Sequence, residues 1–497
     1  MGLSNRKSLE PFLKDDVEYY EHQITGVRQM ARMQNFLLSD DMGLGKSLQA
    51  LTVGAIDFKR GTASTIIVVC PVSLKGNWAD EIEKFTNLDY MLFGQETNVA
   101  GKLKKLSPTA RSIQLQEFAQ MPGVKILITN YEQIKPHLKE LNMLKFDIAI
   151  FDEAHYMKNY KSARTKASLG LLTTRSFLLT GTPMLNQVNE LWPLLHKIAP
   201  HEYPKYWSFI NRYCVFGGYQ DRQIIGVKNE KELTQRLQSV MIRRLKADVL
   251  DLPEIQIIQR RVDLLDQQRA LYDNVIKELE ITIQGEENPA EIENALTKFL
   301  RLKQICGTTL PFTGEDHSSK LDLAVEDAIE VMKNGHKIVI FTQFRGVLEA
   351  FCQRLEDHGK KNLQEDFDIW ELHGDVPSQT RQGVVNQWKN DPDAGAIVCM
   401  IQVAGLGLNM VASRHAFFID KLFVPGLNQQ AVDRLHRIGQ DETQPVQVYE
   451  YLCRNTIESR VEQILTTKKK LFGSIVNESD FKRRLIQALL SKEEDDD

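Results

Sequence analysis

The sequence has no apolar run long enough to cross a membrane. Its apolar stretches, such as residues 66–70 and 396–401, have the length of β-strands, far below the ~18 apolar residues of a spanning helix. The basic N-terminal residues are followed by no apolar region, so no secretory signal is predicted. We therefore expect a protein without a membrane partner that stays inside a cell.

Cysteine is scarce and scattered. None of the six cysteines stands in a C-x-x-C pair, so neither a zinc site nor a disulfide framework is predicted, and buried reduced thiols are expected. The chain also has no large excess of charge of either sign, since its formal net charge is −4. This value excludes a protein that coats nucleic acid by bulk attraction. A motor whose basic residues line one cleft remains compatible with it.

Strand-length apolar runs alternate with helical patterns in two separate parts of the chain. The total of 497 residues is too long for one ordinary core. Continuous apolar strands between helices predict parallel sheets that are buried on both faces, so the fold class is α/β with two such sheets. The predicted strands are residues 66–70, 126–129, 148–151 and 177–180, then residues 338–342, 397–400, 416–419 and 446–451.

Between the two sets, from about residue 184 to 320, the pattern changes. Leu271, Val275 and Leu279 recur at helical spacing, which predicts a mainly helical insertion. The expected domains are a first lobe at 1–200, an insertion and linker at 201–320 and a second lobe at 321–475. A C-terminal helix with an acidic tail is expected at 476–497.

The strongest local motif is DDMGLGKS at residues 40–47, between an apolar strand and a helical pattern. A loop with Gly43 and Gly45 at a helix start presents backbone N–H groups to phosphate oxygens. Lys46 would reach the β- and γ-phosphates of ATP, and Ser47 would hold Mg²⁺. The usual motif has glycine where this chain has Asp40. The alternative is an ordinary glycine-rich turn.

Two acids follow the predicted strand at 148–151. Asp152 suits a ligand of Mg²⁺, directly or through water, and Glu153 suits the base that deprotonates an attacking water. Two surface acids after a strand are common, and this alternative loses weight beside Lys46 and Ser47. Farther on, Arg434 and Arg437 would share one face if their segment were helical, where they could stabilise charge on the γ-phosphate. A solvated helix face is the alternative.

In the first half, the ordered motifs resemble those of superfamily 2 helicases, specifically Swi/Snf-type DNA translocases. The resembling segments are 20–23 with Gly26 and Val27, 40–47, 70–74 with Asn77, Trp78 and Glu81, 129–131, 152–155 with Lys158 and Asn159, and 179–183 with Asn186 and 190–192. In that family, Asp at position 40 is usual, and Gln23 would contact adenine.

The second half continues the series. The segments are 241–246, 341–344, 373–375, 404–409 and 430–440, so the resemblance covers residues 20–471. Two places depart from the family pattern. Residues 423–425 read Phe-Val-Pro where Trp-Asn-Pro is usual, and Gln402 stands where Ser or Thr is common.

The resemblance implies two RecA-like lobes with a mainly helical insertion, ATP and Mg²⁺ as cofactors, and a site completed when the lobes close. It implies that DNA, duplex or forked, lies across both lobes, with five residues near one strand's backbone: Thr129, Asn130, Gln343, Gly374 and Gly405. The phosphate loop and the short second lobe also resemble the annealing-helicase, fork-remodelling branch. A role in DNA repair, recombination or fork remodelling is therefore expected.

Several alternatives stay open. A strand-separating DNA or RNA helicase would need a wedge such as a hairpin with an aromatic tip, and no clear candidate stands out in the sequence. A second alternative is a motor subunit of a larger complex, and the sequence does not identify its protein partners. The basic cluster of Arg243, Arg244 and Lys246 could touch DNA or ATP, or only tie the lobes. Since little lies outside the motor core, we expect the cytoplasm of a prokaryote or of a virus-infected cell.

Overall fold

The computed structural model consists of two compact units, Met1–Asp251 and Leu252–Asp497. The described residues are 12–15, 17–97, 103–181, 183, 187–217, 223–250, 252–283, 289–362, 367–377, 380–393, 395–404, 408–422, 425–437, 439–440 and 443–459. The expected C-terminal helix and acidic tail lie outside this range. Among these residues no helix combines the length and apolarity needed to span a membrane.

The first unit is built on a seven-stranded sheet. Its strands and helices are α1 (Glu21–Arg32), β1 (Asn35–Leu38), α2 (Lys46–Arg60), β2 (Thr65–Cys70), α3 (Lys75–Phe85), β3 (Asp89–Leu92), β4 (Gln95–Thr97), β5 (Leu103–Lys105), α4 (Pro108–Gln120), β6 (Lys125–Asn130), α5 (Tyr131–Met143), β7 (Ile148–Asp152), α6 (Ala163–Gly170), β8 (Arg175–Leu179), α7 (Trp192–Ile198), α8 (Tyr206–Tyr213), β9 (Cys214–Gly217), β10 (Gln223–Val227), α9 (Glu230–Val240), β11 (Met241–Ile242) and α10 (Lys246–Val249).

The strand order of this sheet is β11-β1-β8-β7-β2-β6-β3, and every neighbouring pair is parallel. The central strands are buried almost throughout, because helices cover both faces of the sheet. Three short 3₁₀ turns, Val72–Leu74, Ala154–Met157 and Val188–Leu191, follow strand ends or precede helices. Every strand predicted for the first set is present, within three residues at either end.

The second unit is built on a six-stranded parallel sheet with the order β12-β17-β16-β13-β15-β14. Its elements are β12 (Ile255–Val262), α11 (Asp266–Ile283), α12 (Pro289–Gly307), α13 (Leu310–Thr313), α14 (Ser319–Lys333), β13 (Ile338–Thr342), α15 (Arg345–Asn362), β14 (Ile369–Leu372), α16 (Arg381–Asn390), β15 (Ala396–Met400), α17 (Ile401–Ala404), β16 (His415–Phe418), α18 (Pro425–Val432) and β17 (Val446–Cys453). The second predicted set of strands is confirmed. Two parallel-sheet lobes are therefore the fold.

The segment predicted as an insertion is mostly helical, and it is shared between the units. Residues up to 250 remain with the first unit, where β11 pairs with β1. From residue 252 the chain belongs to the second unit, where β12 pairs with β17. This segment also contains an antiparallel hairpin, β9–β10, which the sequence patterns did not reveal.

All six cysteines are free and buried, in agreement with the prediction of reduced thiols. They belong to the hydrophobic interior of strands and helices in both units. Burial raises the pKa of Cys70, Cys352 and Cys399, which keeps these thiols protonated and unreactive.

Candidate nucleotide site

The phosphate loop lies between the end of β1 and the start of α2, at the carboxyl edge of the first sheet. Gly43 has φ +86° and Gly45 has φ +72°, a region that glycine enters without the steric cost of a Cβ. Gly45 directly precedes α2, a helix of 15 residues. The N–H groups of its first turn have no acceptor within the helix, so they can donate hydrogen bonds to phosphate oxygens at the loop.

Lys46 already bonds to oxygen atoms of its own loop. Its ammonium donates to the carbonyl oxygen of Asp40 at 2.8 Å and to that of Asp41 at 3.2 Å. The loop thus folds around the ammonium of Lys46. Phosphate oxygens could replace the two carbonyl oxygens as its hydrogen-bond acceptors. Ser47 follows as the second residue of the helix, half-buried beside Lys46. The two side chains predicted for phosphate and Mg²⁺ are adjacent at one helix start.

Gln23 joins α1 to the phosphate loop. Its Oε1 accepts from the backbone N–H of Tyr20 at 3.1 Å, and its Nε2 donates to the carbonyl oxygen of Leu44 at 3.3 Å. A Cβ on Gly45 would collide with the same Nε2, so this position requires glycine for its surroundings as well as its backbone. The adenine contact of Gln23 stays a prediction, and its observed role is to align the loop with α1.

Asp152 ends β7 as a half-buried carboxylate with defined partners. Its Oδ2 accepts from the indole Nε1 of Trp78 at 2.8 Å, and its Oδ1 accepts from the backbone N–H of Glu153 at 2.9 Å. Burial, followed by the charge of Glu153, raises the pKa of Asp152 to about 7, while the Trp78 bond and the charge of Lys46 act in the opposite direction. A cation bound there would relieve this conflict, as expected for a ligand of Mg²⁺.

Glu153 has a backbone conformation that a residue with a side chain rarely adopts. Its φ is +49° and its ψ is +51°, a strain that clusters at functional sites. The Nδ1 of His155 lies 3.2 Å from Oε2 of Glu153 and 3.3 Å from the hydroxyl of Thr180. Thr180 in turn donates its backbone N–H to the carbonyl of Leu38 at 3.1 Å, directly before the phosphate loop. The two acids and the loop therefore share one edge of the sheet.

Two residues gain a role that the sequence did not assign. Trp78 belongs to a motif to which the sequence assigns no chemical role, yet its indole N–H donates to the carboxylate of Asp152. Arg244 was ambiguous, yet it pairs with Asp40 inside the loop. The contact of Arg244 could have been predicted from the acid at position 40, because an acid that is buried in a phosphate loop needs a cation as its partner. The contact of Trp78 with Asp152 could not, since it depends on the order of the strands in the sheet.

The residues expected near nucleic acid differ widely in exposure. Thr129 is fully buried inside β6, and its contact with a DNA backbone stays a prediction. Asn130 is 6% exposed and donates to Oε2 of Glu132 at 2.8 Å. Gln343 is half-buried after β13, and Gly374 lies exposed in a turn. Gly405 lies outside the described residues.

Arg434 and Arg437 are not on a helix, which corrects the prediction of one shared helical face. The helix α18 ends at Val432, and turns follow it. The carbonyl of Arg434 accepts from the backbone N–H of Met410 at 3.0 Å, and that of Leu435 accepts from the side chain of Gln440 at 3.2 Å. The backbone N–H groups of Arg434 and Leu435 bond only three residues back, to the carbonyls of Ala431 and Val432 at 3.2 and 3.0 Å, as in turns and not as in an α-helix.

The donor set of the first unit fits ATP with Mg²⁺. A lysine and a helix start can bind phosphate oxygens, and the hydroxyl of Ser47 and the carboxylate of Asp152 are oxygen ligands of the kind that Mg²⁺ prefers. The conflict at Asp152 supplies the reason for a cation.

The comparisons with known proteins agree with this geometry. Residues 22–309 match the family model "SNF2-related domain", and residues 321–439 match "Helicase conserved C-terminal domain". A curated relative from Mus musculus, "DNA annealing helicase and endonuclease ZRANB3", is 27% identical over 488 residues, which covers 95% of this chain and 41% of the relative. An "Uncharacterized ATP-dependent helicase MG018" from Mycoplasma genitalium is 27% identical, covering 92% of this chain and 42% of that protein.

One solved structure to which the chain is similar is the Sulfolobus solfataricus SWI2/SNF2 ATPase core in complex with dsDNA. It is 24% identical with a TM-score of 0.42 and covers 96% of this chain and 98% of its own. The chain spans about two fifths of the length of the curated relatives named above. More than half of the sequence matches the first family model, and the chain belongs to the SNF2-related domain family.

Proposed function

We propose that this chain is a DNA-dependent ATPase of helicase superfamily 2 that translocates on double-stranded or forked DNA. The observation that carries the proposal is the meeting of Lys46, Asp152 and Glu153 at one edge of the first sheet, in a chain of this family. The proposed setting is DNA repair, recombination or replication-fork remodelling. The mouse relative is named a DNA annealing helicase and endonuclease, which supports that setting.

ATP would be held by Gln23, Gly43, Gly45, Lys46 and Ser47, with Ser47 and Asp152 as the ligands of Mg²⁺. When bound, Mg²⁺ would neutralise phosphate charge. Lys46 would exchange its bonds to the carbonyls of Asp40 and Asp41 for phosphate oxygens. This exchange costs little, since the ammonium is already placed at the loop.

Glu153 would accept the proton of the attacking water. Its side chain is only 12% exposed, which limits competition from bulk solvent. Arg434 and Arg437 of the second unit would donate to the phosphate oxygens as charge develops on them. Because these arginines belong to a different unit, hydrolysis would depend on groups of both units, and we expect ATP turnover to be coupled to movement.

DNA is the proposed partner, through contacts to its backbone that carry no sequence information. The proposed candidates near one strand are Thr129, Asn130, Gln343, Gly374 and Gly405. Asn130 ends β6, and Gln343 and Gly374 follow the ends of β13 and β14, so the carboxyl edges of the two sheets support this proposal. No protein partner is proposed.

The first test is the ATPase rate without nucleic acid and with single-stranded DNA, duplex DNA, forked DNA and RNA at one salt concentration. Strong stimulation by duplex or forked DNA supports the proposal. Stimulation by single strands or RNA alone would favour strand separation instead. The Glu153→Gln variant is the matched control: it should bind ATP and DNA but lose about 10²–10⁴-fold in turnover, because the water loses its base.

Strand separation deserves a second test because of the hairpin β9–β10. Its connecting residues, 218–222, include Tyr219 but lie outside the described range. A triplex-displacement assay reports translocation on duplex DNA, and a forked-duplex unwinding assay reports strand separation. Activity in the first assay alone supports the translocase, and activity in the second would make the hairpin the candidate wedge.

A further inference from the structure

Asp40 occupies the place of a glycine in the phosphate loop, and it is fully buried. Both of its carboxylate oxygens are bound by Arg244. The Nε of Arg244 donates to Oδ1 at 2.9 Å, and its Nη2 donates to Oδ2. A buried carboxylate is costly unless it is paired with such geometry. The two residues are 204 positions apart in the chain, so this pair is a long-range connection made at the loop itself.

Arg244 also bonds to the helices on either side of the loop. Its Nη1 donates to the carbonyl oxygen of His22 at the start of α1, and its Nη2 donates to Oε1 of Gln49 in α2 at 3.1 Å. Gln49 completes the group by donating its Nε2 to Oδ2 of Asp40 at 3.3 Å. The side chain of Arg244 is 12% exposed. One guanidinium therefore joins the loop to both helices that frame the nucleotide site.

The backbone around Arg244 continues the same connection. The N–H of Ser39 donates to the carbonyl of Ile242 at 2.8 Å, and that of Asp41 donates to the carbonyl of Arg244 at 3.0 Å. The N–H of Lys246 donates back to Oδ2 of Asp41 at 3.1 Å. The first part of the phosphate loop is thus paired, residue by residue, with the segment that runs on towards the unit boundary at residue 251.

Gly26 makes this arrangement sterically allowed. A Cβ at this position of α1 would collide with Oε1 of Gln49 and lie 2.7 Å from Nη2 of Arg244. The helix can pass over the buried group only with a hydrogen at this place. A methyl group at Gly26 would therefore displace the amide of Gln49 and the guanidinium of Arg244, although the chain would keep every polar side chain of the group.

We propose that Arg244 is a positioning residue for ATP, which fixes the phosphate loop through Asp40 and ties it to the segment leading to the second unit. The carbonyls of Asp40 and Asp41 are the two acceptors that hold Lys46. Release of Asp40 would displace these acceptors, and the lysine would no longer be aimed at phosphate. This inference rests on the proposed function, because it assumes that ATP binds at this loop.

The test compares Arg244→Gln, Asp40→Asn and the double variant with the full-length chain. The dissociation constant of a fluorescent ATP analogue with Mg²⁺, without DNA, is measured beside the melting temperature. Each single variant should bind the analogue at least about tenfold more weakly, and the double variant should stay within about twofold of the worse single, as expected for one shared interaction. Arg212→Gln is the control, because it breaks the exposed pair of Arg212 with Glu232.

Two more variants keep the test decisive if Arg244→Gln folds poorly. Arg244→Lys keeps the charge but loses the two-pronged geometry, so it should recover part of the affinity. Gly26→Ala should weaken the binding of the ATP analogue although it retains every polar side chain. Gly76→Ala is its control: no atom lies within 4 Å of the new Cβ, so binding should be unchanged.

Each result has one meaning. Variants that melt at lower temperature but bind the analogue as the wild type does would overturn the positioning role of Arg244 and leave it purely structural. Weaker binding in Arg244→Gln and Asp40→Asn, together with unchanged binding in Arg212→Gln, supports it. Failure of the wild type itself to bind the analogue would instead defeat the proposed ATPase function.

Discussion

Asp152 is under an electrostatic conflict that a bound cation would remove. Burial and the neighbouring charge of Glu153 raise its pKa to about 7 from the ordinary value of 3.8. A carboxyl whose pKa is raised on folding adds stability below pH 3.8, and this contribution is lost as the pH rises through 7. Above that pH, the protein without Mg²⁺ must hold two carboxylates in one buried place.

The Asp152→Asn amide can accept only one of the two N–H bonds of this carboxylate, a loss that is the same at every pH. Relative to the wild type, the variant should therefore gain stability between pH 5.5 and pH 8. One unit of pKa corresponds to about 1.4 kcal/mol, so this gain should be on the order of a few kcal/mol. Thermal unfolding without Mg²⁺ at both pH values measures it. The exposed residue Asp89, changed to Asn, is the control, and equal gains for Asp152→Asn at the two pH values would contradict the argument.

Trp78 orients the same carboxylate, and Trp78→Phe tests this with little change in packing. The ring remains to fill a site that is 2% exposed, but the indole donor to Oδ2 of Asp152 is lost. The Mg²⁺ concentration for half-maximal ATPase activity should rise about tenfold, as is typical when a residue behind a metal ligand is removed.

Trp192→Phe is the matched control for this experiment. The indole nitrogen of Trp192 is buried and has no hydrogen-bond partner among the described residues, so its removal costs packing alone. A similar rise in the Mg²⁺ requirement for both variants would show that Trp78 acts only through packing.

Local motifs made part of the site predictable. Lys46 and Ser47 follow a glycine-rich loop at a helix start, and Asp152 and Glu153 follow a buried strand, so sequence spacing was sufficient. Trp78 lies 74 positions before Asp152, and their contact depends on which strands are neighbours. The φ of +49° at Glu153 has no signature in the sequence either.

At the scale of elements, a buried ion pair joins three parts of the second unit. Lys320, in the first turn of α14, donates to both oxygens of Glu458, at 2.6 and 2.7 Å, and to the carbonyl of Ile419 after β16 at 3.2 Å. Glu458 also accepts from the backbone N–H of Cys453, the last residue of β17, at 2.9 Å. Burial alone would lower the pKa of Lys320, but the charge of Glu458 reverses this and raises it.

The pair also argues against a metal centre nearby. Cys306, Cys453 and Glu458 have ligand atoms within 4.8 Å of one another, yet the ammonium of Lys320 already occupies the carboxylate. Burial raises the pKa of Cys306 well above its ordinary value, and a protonated thiol is a poor ligand. The cluster therefore serves to fasten α14 to the ends of two strands.

Glu458→Gln should destabilise the second unit by about 3–5 kcal/mol, because it leaves a buried ammonium without its counter-charge. The double variant Lys320→Met/Glu458→Gln should lose less than the sum of its single variants, since no unpaired charge remains. Urea unfolding of the full chain measures both. Glu356→Gln breaks the exposed pair with Lys360 and should change little; an equally small effect of Glu458→Gln would contradict the argument.

At the scale of the whole molecule, continuous apolar runs predicted the inner strands, because these are buried on both faces. β12 escaped the prediction since it lies at the edge of its sheet, where Gln256, Gln259 and Arg261 are partly or fully exposed. β11 has only two residues, too few for any periodic pattern. Because β11 was not predicted, the way in which the segment before residue 251 returns to the phosphate loop was hidden.

The chain can be divided between the units without breaking a strand pair. The first sheet takes all of its strands from residues before 251, and the second takes all of its strands from residues after 252. A fragment of residues 1–251 should therefore fold alone and bind the fluorescent ATP analogue about as tightly as the full chain. It should not hydrolyse ATP, because the proposed contribution of Arg434 and Arg437 is missing.

Circular dichroism, analogue binding and ATPase rates with duplex DNA measure these properties. The control is the same fragment with Lys46→Ala. It should no longer bind the fluorescent ATP analogue, because the ammonium at the phosphate loop has been removed. Turnover by residues 1–251 at the rate of the full chain would show that the second unit supplies no group to hydrolysis. A folded fragment that binds ATP and stays inactive would locate the remaining catalytic groups beyond residue 252, and Arg434→Ala and Arg437→Ala in the full chain would then assign them.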